Sequence, residues 1–294
     1  MMVFATLLMA GTTLLAKAMG NGAMGQSLHT LMISQGRFVF GFAVVALVLL
    51  LGRASGRAAW PSGSARPNWV LHATRTALGW SAGVMMFAAA ARMPLADANA
   101  LGFTSPVATM LFAIPFLGER PGRWRWLAAG LAMLGAFILL RPGADVIQPA
   151  ALLALGAAIA MGLEAIAIKR LAVSEPPGRT MLINNAMGAV ISSIIAFSVF
   201  TRPETVGHWL ALVGIGAMMV CVQILNLQAN RRADASFVAP FFYLTLVWAA
   251  LFDLLVFDVW PDAISIMGAS IIVAGGLLMT WREMRRQTAS ITRL

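Results

Sequence analysis

Lys17, Arg37, Arg75, Glu164 and Asp253 fall within long apolar runs of the chain. An ionisable group at such a position is costly in a low-dielectric medium, so it marks a substrate path, a proton relay or an interhelical pair. Arg37 stands about nine residues into the second apolar run, and Asn184 takes the matching place in the seventh. A guanidinium there can grip a carboxylate or phosphate through a bidentate fork. It can also be satisfied by helix carbonyls or by a buried acid such as Glu164. Glu164 is a candidate proton-coupling carboxylate, because a desolvated Glu can titrate near neutral pH; pairing with a neighbouring base to lock two helices is the alternative. Asp253, near the end of the ninth run, is the second coupling candidate and reads as a hydrated mouth residue. Lys17 is expected to snorkel to the interface or to touch substrate at the rim. Arg75 is expected to reach the interface as a topology anchor.

A neutral set accompanies these charges. Asn99, Asn184, Asn185, Gln223 and Asn226 are candidate substrate contacts or interhelical hydrogen-bonding groups. Gln223, Asn226 and Asn230 share one helical face by their spacing. Trp80, Phe103 and Tyr243 are candidate aromatic walls of a cavity. Asp97 and Asp234 open apolar helices, where a carboxylate caps free N–H groups and complements the helix dipole. Glu119 reads as a loop charge balancing nearby arginines. No metal site is expected from Cys221 and the scattered His29, His72 and His208. No nucleophile–base set, paired catalytic acids or His-Glu-x-x-His motif is present, so neither a catalytic site nor a cofactor is expected.

The elements that must position these groups follow from composition. Apolar residues make up 60% of the 294, charged residues only 11%, and mean hydropathy is +0.83. Soluble proteins carry about 25% charged residues, whereas a bilayer solvates apolar surface directly. At about 20 residues per span, the chain reads as ten helices near 2–20, 28–51, 69–91, 95–117, 124–140, 149–168, 179–200, 207–229, 236–257 and 262–281. The apolar N-terminus has a signal-peptidase-like Ala16-Lys17-Ala18 but no basic leader, so it is expected to remain as the first helix.

The basic residues test this map. Fifteen of the 21 Lys and Arg fall in segments on the side that holds both termini; the opposite loops hold Arg92, Arg141 and Arg202. That bias predicts cytoplasmic termini, in a bacterial-type inner membrane. The net charge of +10 is scattered among loops rather than gathered on one face, so nucleic acid is not an expected partner. The lipid bilayer and a small-molecule substrate are.

The sequence also repeats. ADANALGFTSPVATMLF (96–112) is similar to ADASFVAPFFYLTLVWAALF (233–252), and AAGLAMLGAFILLR (128–141) to GASIIVAGGLLMTWR (268–282); MAGTTLLAK (9–17) parallels AMGLEAIAIK (160–169). Residues 1–142 and 147–283 therefore read as two five-helix units, followed by a basic cytoplasmic tail at 284–294. Five is odd, so the second unit must be inverted, an arrangement that places a site at the interface of the two halves. The expected fold class is an all-α integral membrane protein of ten transmembrane helices in two inverted repeats.

Residues 95–143 carry the most specific signal: Ser105-Pro106 in an apolar helix, then Leu117-Gly118-Glu119, then a Gly-punctuated helix. The chain thereby resembles the ten-helix EamA-type members of the drug/metabolite transporter superfamily. In the second unit Leu246 replaces the Pro and Phe257-Asp258 replaces Gly-Glu. The resemblance implies secondary transport of a small polar or charged metabolite by alternating access, with export of amino acids or related metabolites as first expectation. Uptake of a riboflavin- or S-adenosylmethionine-like cofactor is the alternative, and a channel or intramembrane enzyme a distant one. Substrate is expected to bridge the halves near Arg37, Asn184 and Trp80; a proton is a candidate coupling ion, with exchange or facilitation the alternatives. The fifth and tenth helices are expected to buttress the cavity from outside.

Overall fold

The structure is a computed structural model and describes residues 1–54, 67–141, 148–232 and 238–291. The described residues form helices α1 (Met2–Gly20), α2 (Thr30–Ala54), α3 (Trp69–Ala90), α4 (Leu95–Gly102), α5 (Ser105–Leu117), α6 (Arg123–Leu140), α7 (Pro149–Ser174), α8 (Pro177–Ala196), α9 (Val206–Arg232), α10 (Leu244–Phe257) and α11 (Ala263–Ile291). Among these residues no strand occurs. Asp234 lies outside the described residues.

Among the described residues, eight stretches are long and apolar enough to cross a membrane, one of them Leu95–Leu117, which spans α4 and α5. Two of the ten expected spans are absent from that set. The helix α3 has the length but carries His72, Thr74, Arg75 and Thr76 in its first half. The ninth expected helix is short, Phe241–Phe257. The last helix differs in the other direction: α11 continues as helix to Ile291, through most of the expected tail.

Two expected helices are broken at equivalent places. The run 95–117 divides at Phe103-Thr104 into α4 and α5, with Pro106 in the first turn of α5. Proline lacks an N–H and collides with the carbonyl four residues back, so the helix cannot run straight through. Among the described residues the ninth run contains a 3-10 turn, Ala239–Tyr243, with Pro240 in its first turn, before α10 begins. The ends of α5 and α10 also agree. Gly118 (φ 67°) and Asp258 (φ 53°) both cap their helices in the left-handed region. Asp is among the few residues besides Gly that adopt it readily, so the divergent Phe257-Asp258 keeps the backbone turn of Leu117-Gly118.

Close packing follows small residues. The helices α6 and α11 pair through Gly135, where an added Cβ would lie 2.6 Å from the Gly268 carbonyl, and through Gly275, 2.8 Å from that of Ala128. Such steps let helix backbones approach closely. The remaining helices pack α3 on α7, α2 on α8 and α9, α1 on α9 and α10, and α5 on α7. They leave a cavity at the centre.

Candidate functional site

The central cavity has a volume of about 450 Å³ and is walled by α1, α2, α3, α4, α5, α7, α9, the 239–243 turn and α11. Its charged wall residues are Arg37 and Glu164. The fifth-helix expectation holds in that α6 contributes nothing to the wall. The tenth does not: Gly276, Met279 and Thr280 of α11 line the cavity, because α11 packs on α4 and the 239–243 turn as well as on α6.

Arg37 and Glu164 both lie against a glycine groove on α3. An added Cβ at Gly83 would overlap Arg37 Nη1, and one at Gly79 would lie 2.7 Å from Glu164 Oε1. Four residues apart, these glycines share one helical face, so α3 lets a guanidinium from α2 and a carboxylate from α7 lie against its backbone. Arg37 is half-buried with its Cζ 4.7 Å from the Phe38 ring centroid, a cation–π distance. Its Nε is buried with no hydrogen-bond partner.

Arg75 joins this cluster instead of reaching the interface. Its Nη1 donates to the Thr180 carbonyl at 3.0 Å, and its Nε stands 3.8 Å from Glu164 Oε1. The reason is available inside: a carboxylate and a helix carbonyl offer more than snorkelling through a packed helix pair would.

The apolar wall is aromatic and sulfur-rich. Phe103 and Tyr243, each at the break of its helix, face one another with ring centroids 5.1 Å apart and planes tilted by 42°. The Tyr243 hydroxyl occupies the space that a side chain at Gly276 would fill. Asn99 lines the same wall and donates to the Leu95 carbonyl at 2.7 Å and to Thr13 Oγ1 at 3.4 Å.

One end of the bundle is sealed. Lys17 Nζ lies 2.6 Å from Asp253 Oδ1, with side chains 9% and 3% exposed, and 4.5 Å from the centroid of the Phe257 ring. Asp253 Oδ2 also accepts from the backbone N–H groups of Leu95 and Ala96, the first residues of α4. This corrects three expectations. Asp253 is no hydrated mouth residue, Lys17 does not snorkel, and the cap of α4 comes from Asp253 rather than from Asp97. Burial leaves each charge no better partner than the other. Asp97 instead accepts from Ser265 Oγ at 2.9 Å, beside Arg141 at 4.0 Å, and Arg141 reaches Asp262 at 2.8 Å.

Towards the other end the cavity continues into a second one of about 650 Å³ between α5, α7 and α11; Glu164, Met161 and Ser105 belong to both. It reaches Glu119, which accepts from Lys169 and, at 3.3 Å, from Arg125. The Glu119 carboxyl is held below the ordinary range, first by the Lys169 hydrogen bond. Nearby, Glu175 takes His72 Nε2 at 2.9 Å, the Asn68 N–H at 3.2 Å and Arg179 at 3.4 Å. Burial pushes that carboxyl up, but these partners together hold it low.

Of the residues singled out by sequence, Arg37, Asn99, Phe103, Glu164 and Tyr243 converge on the cavity. Trp80, Asn184, Gln223, Asn226 and Asp253 are not in its wall. Asn184 is buried and accepts from Thr76 Oγ1 at 3.2 Å, tying α3 to α8. Trp80, Gln223 and Asn226 are half-buried. Gly79 and Gly83 were not anticipated; their four-residue spacing is the signal that could have found them. The methionines Met9, Met86, Met161, Met219 and Met279, spread over five helices, share no local signal at all.

Comparison with known proteins agrees with this architecture. A solved crystal structure matches 96% of this chain and 96% of its own with a TM-score of 0.60 at 21% identity, which shows a shared fold. A riboflavin transporter of Vibrio cholerae is 30% identical over 68% of this chain and 67% of its own. An S-adenosylmethionine uptake transporter of Rickettsia bellii is 28% identical over 67% and 68%, and a pseudopaline exporter of Pseudomonas aeruginosa 29% identical over 67% and 70%. The EamA-like transporter family matches residues 1–141 and again 148–281. With its eight long apolar stretches the chain is an integral membrane protein, and it belongs to the EamA-like transporter family.

Proposed function

We propose that the chain is a secondary carrier that moves a small metabolite bearing an anionic group by alternating access, with export of amino acids or related metabolites as its direction. The observation that carries this reading is the cavity itself: Arg37 and Glu164 at its wall, a buried Lys17–Asp253 pair across one end, and a second cavity leading from Glu164 towards the other. In this reading the two matched segments are inverted repeats forming ten membrane passes, with α3 and the 239–257 segment included. The Lys/Arg bias supports cytoplasmic termini in an inner membrane, an orientation in which the sealed end faces outward. Arg37 holds the substrate's anion. Glu164, reachable from both cavities, exchanges a proton against it. Breaking the Lys17–Asp253 pair opens the outer end.

The Phe103–Tyr243 pair supports a second reading, uptake of a ring-bearing cofactor, since aromatic rings stack well on such walls. Relatives named for uptake and for export both match the chain. Counterflow in proteoliposomes, measured with amino acids, organic acids, riboflavin and S-adenosylmethionine, tests the proposal. An imposed pH gradient reports coupling. Accumulation into everted membrane vesicles is the expected result; accumulation only into right-side-out vesicles selects uptake. Arg37→Ala is expected to lower transport by about tenfold or more, as loss of a bidentate charge-assisted contact does. No counterflow of any compound would sink the carrier reading.

A further inference from the structure

We infer that this cavity selects an amphipathic anion: one carboxylate-type group set on Arg37 and a flat apolar body set against Phe103, Tyr243 and the methionines. The inference rests on the carrier reading and names its substrate class.

The charge balance of the cluster asks for the anion. Arg75 stands 3.8 Å from the Glu164 carboxylate and Arg37 lies one helical turn along the same face of α3, so two guanidinium groups share the neighbourhood of one carboxylate. Arg75 donates through Nη1 to the Thr180 carbonyl, and its contact with Glu164 is a loose ion pair beyond hydrogen-bond reach that leaves its own Nε without a hydrogen-bond partner. Arg37 has an unpartnered buried Nε and leans on Phe38. Two positive charges and one negative leave one positive charge without a counter-ion at the wall of a low-dielectric space, where such imbalance is expensive. A ligand with one anionic group restores neutrality; a cation adds to the imbalance.

The rest of the wall asks for the apolar body. Away from Arg37 and Glu164 the large side chains of the surface are Phe87, Phe103, Phe242 and Tyr243 with the five methionines; of its hydroxyls, those of Thr12, Thr13 and Thr280 donate to carbonyls of their own helices, and Ser105 adds one more. Asn99 already donates its amide N–H groups to the Leu95 carbonyl and Thr13 Oγ1. A small hydrophilic anion would satisfy Arg37 but leave this surface wet or void. A ring would meet the edge and face of the tilted aromatic pair and the polarizable thioethers, which adapt to ring edges. A volume of about 450 Å³ lies within the range of small-molecule sites.

A matched series separates the two requirements: naphthylacetate, its neutral amide, naphthylethylamine and acetate, each measured by equilibrium binding to the full chain in lipid nanodiscs, with empty discs subtracted. Naphthylacetate is expected to bind about tenfold or more tighter than each of the other three, a factor that corresponds to a charge-assisted contact. Arg37→Met is expected to erase the advantage of naphthylacetate over the amide, with a cooperative thermal transition followed by tryptophan fluorescence showing that the variant is folded. Phe103→Leu is expected to weaken all three ring compounds alike. Equal binding of the amine or of acetate overturns the inference, as does binding of none of the four. Counterflow distinguishes the failures. Transport of compounds lacking the anion or the ring discards the class and keeps the carrier; binding of naphthylacetate without counterflow keeps the class and discards the carrier.

Discussion

Two buried charge clusters sit within this bundle and are built in opposite ways. At the sealed end one cation meets one anion at 2.6 Å, both nearly inaccessible, and the spare oxygen of Asp253 accepts the free N–H groups that open α4. At the centre two cations share one anion, the nearest contact is 3.8 Å, and Arg75 and Glu164 remain 12% and 21% exposed. A neutral, fully bonded pair has nothing left to offer a ligand and ties α1, α4 and α10 together. An unbalanced, loosely spaced set is held apart by backbone and by glycine spacing, and is completed only by something that enters. The same residue types therefore make a lock in one place and a receptor in the other.

The comparison breaks first on stability. Removing one member of the Lys17–Asp253 pair strands the other in a buried site, which costs about 3–5 kcal/mol. Lys17→Met and Asp253→Asn are each expected to lower the thermal midpoint of the purified protein sharply, and Lys17→Met with Asp253→Leu to recover much of the loss. Arg37→Met is expected to stay within about 1 kcal/mol of the parent, because it removes a charge that no carboxylate fully balances. A fall for Arg37→Met as large as that for Lys17→Met, followed by tryptophan fluorescence on heating, would show that the centre is a lock as well.

The next test concerns what holds the central set open. Gly79→Ala puts a methyl 2.7 Å from Glu164 Oε1, and Gly83→Ala puts one onto Arg37 Nη1. Overpacking of this kind costs about 1–3 kcal/mol, and each variant is expected to lose ligand binding as well, because the head groups must shift. Gly130 on α6 has nothing within 4 Å of an added Cβ. Gly130→Ala is expected to gain up to about 1 kcal/mol from helix propensity with binding unchanged. Unaltered binding in both Gly79→Ala and Gly83→Ala would mean that the groove does not position the charges.

These sites differ in how far sequence could reveal them. Arg37 and Glu164 stood out because a charge in an apolar run is costly wherever it points. Phe103 and Tyr243 stood out as aromatic residues at equivalent positions of the two repeated units. Eight of the expected helices were legible from apolar length, whereas α3, the short Phe241–Phe257 segment and the break at Phe103-Thr104 were not. The Lys17–Asp253 pair was not, because its members are 236 residues apart and no local pattern joins them. Arg75 illustrates the same limit: its depth was readable, but whether it turns to the interface or to Glu164 depends on which helix packs beside α3. Asn184 and Trp80 show that polarity marks a protein-facing side of a helix without saying whether that side meets a cavity or a neighbour. Side-chain direction around a helix axis is set by tertiary packing, and composition carries little of it.

The smallest expected effect lies outside the membrane core and contrasts with both clusters. Glu119 is about one-third exposed and bonded to Lys169 and Arg125. Pairs of that kind contribute about 0.2–1 kcal/mol, so Glu119→Gln is expected to destabilise only slightly. The sign of its pH dependence follows from the direction of the shift. Its carboxyl is held below the ordinary 4.5, mainly by the Lys169 hydrogen bond, so the ionised form is favoured by folding. The contribution is present above the unfolded value and is lost as pH falls through the folded one. The difference in thermal midpoint between parent and Glu119→Gln should therefore be constant from neutral pH down to about 5 and then shrink with further acidification. Glu175, buried but held low by His72, Asn68 and Arg179, obeys the same sign, and Glu175→Gln should show a larger difference that fades over the same acid limb. A Glu119→Gln difference that grows on acidification would mean that Lys169 and Arg125 do not hold the carboxylate, and that this end of the second cavity carries its charges unpaired.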